Sequence, residues 1–151
     1  MASVSLFSQL PELAARETRS IMVSPGGKLP AGEYGCLEFY CNDPGCDCRR
    51  VVIQVISREK PETPMATIIF GWEKPAYYQK RIQFDPNAGR DITRGTLDPL
   101  NPQSEHAATL LYLFQTVVAD ARYCLRLKRH YEAFRKSLVS ARSLTKIGTS
   151  R

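Results

Sequence analysis

The sequence predicts an α+β domain, in which an antiparallel sheet of three or four strands packs against C-terminal helices. Three observations predict it. Strand-like runs at residues 33–41, 50–57 and 65–72 follow one another across short connections that carry Pro and Gly. Apolar stripes at helical spacing occupy residues 107–138. The chain has 151 residues, 43% hydrophobic and 24% charged, which suits one soluble domain able to bury its own core.

Taken in order, residues 8–19 suit a short helix. Ser5 or Ser8 can cap it, and Pro11 is tolerated in a first turn. Ser24-Pro25-Gly26-Gly27 and Leu29-Pro30-Ala31-Gly32 read as turns. In the run 33–41, Tyr34, Cys36, Glu38 and Tyr40 share one face, with Gly35, Leu37, Phe39 and Cys41 on the other. Residues 50–57 are rich in β-branched side chains, and residues 65–72 contain Thr67, Ile68, Ile69 and Phe70. Short connections favour an antiparallel meander. A fourth strand is expected at 77–84, and an extended loop at 85–104, where Pro86, Gly89, Gly95, Pro99 and Pro102 fall.

Ser104 then opens a helical region. Its first stripe runs through Leu110, Leu111, Phe114, Val117 and Val118; its second through Leu127, Tyr131, Phe134 and Leu138. On one straight helix the two stripes would be rotated by roughly 120°. One core cannot face both, so a break is expected near Asp120, which can cap the second helix. The domain is read as residues 1–140, with a basic, flexible tail at 141–151.

Net charge is +6, but residues 121–151 hold nine Lys and Arg against Glu132 alone, while the rest of the chain is slightly acidic. The first ten residues lack a basic start and an apolar run, and no stretch has the roughly 18 apolar residues of a membrane helix. The expectation is a cytoplasmic protein with no membrane span, whose five cysteines are reduced thiols or metal ligands.

Three of those cysteines lie in Cys41-Asn42-Asp43-Pro44-Gly45-Cys46-Asp47-Cys48-Arg49-Arg50. Asn42 to Gly45 is turn chemistry and brings Cys46 back towards Cys41. In Cys46-x-Cys48, extended backbone points both sulfurs the same way. Three thiolates can then surround one zinc at Zn–S distances of about 2.3 Å, with Arg49 and Arg50 offsetting their charge. A structural zinc takes a fourth ligand. Cys36 faces the other side of its strand, and Cys124 sits in the apolar stripe. His130, at the edge of that stripe, is the favoured donor. The expected site is therefore Cys41, Cys46, Cys48 and His130: a zinc clamp between the strand turn and the last helix.

The segment Tyr40-Cys41-x2-Pro44-x-Cys46-Asp47-Cys48-Arg49-Arg50-Val51, with Leu127-Lys128-Arg129-His130-Tyr131 later, resembles an uncharacterised family of bacterial proteins. Some of its members continue into a SEC-C zinc motif like that at the C-terminus of the SecA translocase. The resemblance implies a metal-bearing domain and supplies no activity. Lys146-Ile147-Gly148 looks like the lead-in to such a motif, whose cysteines are absent from this sequence.

Arg122, Arg126 and Arg129 line one face of the last helix and could grip phosphates. A solvated helix face is the commoner reason for such a row. Signatures of enzymes are missing: no Gly-x-Ser-x-Gly, no Gly-x4-Gly-Lys-Ser/Thr and no His-Glu-x2-His. The leading functional expectation is a zinc-stabilised interaction module with a protein partner. Nucleic-acid binding through the basic helix comes second, and a zinc or thiol enzyme third.

Overall fold

Strand-forming runs set out the centre of the molecule. The computed structural model describes residues 3–149, and the side chains of residues 3–140. The three longest strands are β3 (Gly32–Cys41), β4 (Arg50–Ser57) and β5 (Ala66–Gly71), and they pair antiparallel in chain order. This is the meander that the short connections predict. Two short strands not evident in the sequence, β1 (Ser3–Ser5) and β2 (Ser20–Val23), divide the free edge of β3 between them. β1 pairs beside Phe39–Cys41 and β2 beside Gly32–Gly35. A two-residue strand, β6 (Thr96–Leu97), closes the far edge on β5.

Alternation decides which face is buried. Tyr34, Cys36, Glu38 and Tyr40 of β3 point inward, beside Val51, Ile53 and Val55 of β4 and Ile68 and Phe70 of β5. Against this face lie α5 (Ala107–Val118), with Leu110, Phe114 and Val118, and α6 (Ala121–Thr149), with Tyr123, Leu127, Tyr131 and Phe134. Ring contacts join the layers: Phe70 meets Phe114 edge-on at 5.8 Å between centroids, and Tyr40 meets Phe134 at 5.5 Å. The expected helix break falls between Val118 and Ala121, and Asp120 Oδ1 accepts the Arg122 N–H at 2.9 Å.

At the N-terminus the expected helix is two: α1 (Leu6–Gln9) and α2 (Pro11–Glu17). Ser5 caps the first by accepting the Ser8 N–H, and Pro11 opens the second. Two expectations need correction. Residues 77–84 are not a strand, because Pro75 opens the helix α3 (Pro75–Gln79) and Tyr78 turns inward over Gly71. Residues 85–104 are not all loop, because they contain α4 (Ala88–Arg94) and β6. A Cβ at Gly89 would lie 2.3 Å from the Pro75 carbonyl oxygen, so this glycine serves close packing of α3 on α4. The helix α6 extends to Thr149. Residues 150 and 151 lie outside the described residues. Among the described residues no helix is long and apolar enough to cross a membrane.

Candidate metal centre

The turn between β3 and β4 begins with local chemistry. Asp43 Oδ1 accepts the Gly45 N–H at 2.9 Å, and the Cys46 N–H reaches the Asp43 carbonyl at 3.1 Å. The chain therefore reverses within Asp43–Cys46. At Arg49 the backbone is left-handed, with φ of 48°, a costly setting for a residue with a side chain. Its N–H points to the Tyr131 hydroxyl at 3.2 Å. Its guanidinium meets Asp47 at 2.9 Å and lies 4.8 Å from the Tyr77 ring centroid. That charge-assisted bond from Arg49 holds the Asp47 carboxyl below the usual carboxylate range.

Side chains from two helices fasten the rest of the loop. Arg135 of α6 donates to the carbonyls of Cys46 and, at 3.0 Å, of Pro44. Tyr77 and Tyr78 of α3 donate to the carbonyls of Asp47 and Arg49, the latter at 2.6 Å. Tyr131 donates to Asp47 Oδ1 at 2.8 Å. Four loop carbonyls, those of Pro44, Cys46, Asp47 and Arg49, thus accept bonds from outside the loop, which keeps the exposed turn in one conformation.

Within this frame the Sγ atoms of Cys41, Cys46 and Cys48 all lie within 4.8 Å of one another. A tetrahedral zinc with about 2.3 Å bonds needs ligand sulfurs about 3.8 Å apart, and the three sulfurs are within about 1 Å of that spacing or closer. Cys41 and Cys46 are half-buried and Cys48 is buried; no cysteine among the described residues is in a disulfide. The group can hold a metal ion, and it contains no fourth His, Cys, Asp or Glu among the described residues.

The other candidate ligands lie elsewhere. Cys36 is on the inner face of β3, and burial pushes its thiol up to about 12. Cys124 lines a separate hollow with Trp72, Gln115 and Val118, and burial raises its thiol too. His130 was the favoured fourth ligand, and the structure does not bring it to the cluster. Its Nδ1 lies 2.7 Å from Glu38 and its Nε2 3.0 Å from Glu17. Both ring nitrogens are therefore engaged, and the ring is 1% exposed. Burial presses its pKa down, but the hydrogen bonds and charges of the two glutamates together lift it above the ordinary value. Glu38 also accepts from Tyr40 at 2.6 Å. The helix-to-turn tie exists, but Tyr131 and Arg135 make it. The Tyr131 ring stays in the core against Tyr40 and Trp72, and only its hydroxyl reaches the loop.

Of the arginine row, Arg126 donates to the Glu17 carbonyl at 3.3 Å and Arg129 meets the Glu17 carboxylate at 3.5 Å. They hold the C-terminus of α2, where cations are favoured. Arg122 is 93% exposed and lies 3.8 Å from Asp120.

Beside the cysteines a groove of about 780 Å³ crosses the outer face of the sheet. Its walls include Cys41, Cys48, Arg50, Val52, Ile69 and Ile92. Comparison of the chain with models of known families, with curated proteins and with solved structures finds no match.

Proposed function

We propose that this chain is a zinc-binding module in which Cys41, Cys46 and Cys48 hold one ion as thiolates. One observation carries the reading: three sulfurs converge at a single strand turn whose backbone is fastened by Arg135, Tyr131, Tyr77 and Tyr78. Soft thiolates in tetrahedral arrangement select zinc over hard cations. The ion's work is mechanical: it fixes the turn and the surface around it for a partner, with the cytoplasm as the reducing compartment that keeps the thiols available. Kinship with the bacterial family that the cysteine segment resembles belongs to the same proposal. Nucleic-acid binding through the arginine row is the weaker reading, because Arg126 and Arg129 already serve Glu17.

The test is metal content per chain by elemental mass spectrometry on freshly prepared protein. About one zinc is expected in the wild type, a clear reduction in Cys48→Ser and an unchanged content in His130→Gln. Metal-free wild-type protein would overturn the proposal.

A further inference from the structure

We propose that the groove binds a small amphipathic carboxylic acid, whose carboxylate completes the coordination of the metal. The inference rests on the zinc reading above and goes beyond it. Three protein ligands leave a zinc with one exchangeable position, ordinarily held by water. Here two of the three sulfurs, those of Cys41 and Cys48, belong to residues that line the groove. The groove's volume, about 780 Å³, lies in the range of small-molecule sites, which are mostly apolar with a few polar groups to orient the ligand.

Its floor is the outer face of β3, β4 and β5, with Phe39, Val52 and Ile69 in register across the three strands. Ile92 of α4 and Leu97 of β6 continue the apolar wall. Phe84 and Leu100, each 91% exposed, stand at the rim. These surfaces suit a hydrocarbon body.

The engagement of the polar side chains decides the head group. Asp98 spends both oxygens on the Leu100 N–H at 2.9 Å and the Asn101 amide at 2.6 Å. Asp85 accepts from the Asn87 N–H at 2.9 Å, and Asp91 lies 3.9 Å from Arg90. Arg50 has no hydrogen bond or ion pair from its side chain among the described residues, and it follows two positions after Cys48 on the same wall. Arg50 lines the same groove as Cys41 and Cys48, and a carboxylate is the head group that both a guanidinium and a metal ion bind. On binding, the carboxylate oxygen donates a lone pair to the metal and one water leaves; no electron or proton changes hands.

The test uses the full chain loaded with cobalt(II), whose visible absorption reports its ligands. Octanoate and acetate are titrated in parallel. Octanoate is expected to change the spectrum saturably at concentrations at least about 10-fold below acetate, because only its tail reaches the apolar floor. Arg50→Gln is expected to weaken octanoate about 10-fold, the loss of one charge-assisted hydrogen bond, with cobalt stoichiometry unchanged. Val52→Glu, which puts a carboxylate on the floor, is expected to abolish the advantage of octanoate over acetate. Cobalt bound with a spectrum that octanoate leaves alone, or octanoate and acetate acting alike, overturns the groove and spares the metal site. Octanoate binding equally to Arg50→Gln overturns the assigned head group. Wild-type protein that takes up no cobalt removes both proposals together.

Discussion

At the residue scale, the Glu17–His130–Glu38–Tyr40 chain sets the terms. A carboxylate and an imidazole both near 1% exposed are tolerable only because each answers the other. His130→Ala leaves Glu38 buried with Tyr40 alone, and an unfolding free energy lower by about 3–5 kcal/mol is expected in denaturant titration. The fold favours ionised His130, so its contribution is whole below the ordinary value of 6.5 and fades as pH rises through the raised folded value. The hydrogen bond from His130 lowers Glu17, so that contribution is whole above the ordinary 4.5 and fades as pH falls. Both are present together between pH 4.5 and 6.5. Wild-type melting temperature should therefore fall from pH 6.5 towards 8.5 more steeply than that of His130→Gln, and parallel profiles would contradict the assignment. This network was half legible in the sequence. Alternation already put Glu38 on the inward face with Tyr34, Cys36 and Tyr40, and an inward glutamate requires a buried partner. The nearest basic group on the helix stripe was His130, which the cysteines drew away as a ligand.

At the element scale, the β3–β4 turn depends on neighbours that the sequence places far from it. Arg135→Met keeps the aliphatic stem and removes both bonds to the loop carbonyls. Metal affinity is expected to fall about 10- to 100-fold, as for other groups that orient ligands, measured by competition with a chromophoric chelator. Gly71→Ala tests the α3 side. Its Cβ would lie 2.2 Å from the Tyr78 hydroxyl, which must move and release the Arg49 carbonyl and the Glu73 N–H. A loss of about 1–3 kcal/mol is expected from the overpacking. The central strands were legible because their alternation and β-branched content are strong local signals. The elements α3, α4 and β6 were not, because their glycines and prolines serve close contacts and helix starts as readily as loops.

For the whole molecule, the apolar core reaches as far as the cysteine turn, where Cys48 belongs to it, but most of it lies between the sheet and the helices. The inner face of the sheet and the helices α5 and α6 form one apolar cluster without any metal. Chelation should therefore lower the melting temperature without unfolding the protein at 25 °C. At metal 1,000-fold above its dissociation constant, the lost stabilisation is about 4 kcal/mol. Hydrogen exchange should quicken around Cys41–Arg50 and the adjoining ends of β3 and β4, while Ile53, Ile68 and Leu127 stay protected.

The pairing of Ser3 with Cys41 has a practical side for anyone preparing the protein. Paired strand residues lie about 5 Å apart, so β1 runs beside the end of β3 that carries Cys41. A polyhistidine tag on that side would offer a string of imidazoles to any ion that the three cysteines hold. Nickel resin would in turn offer the thiols a foreign metal. Purification through the other terminus, or with a tag that carries no metal ligands, keeps the sample from reporting on its own handle.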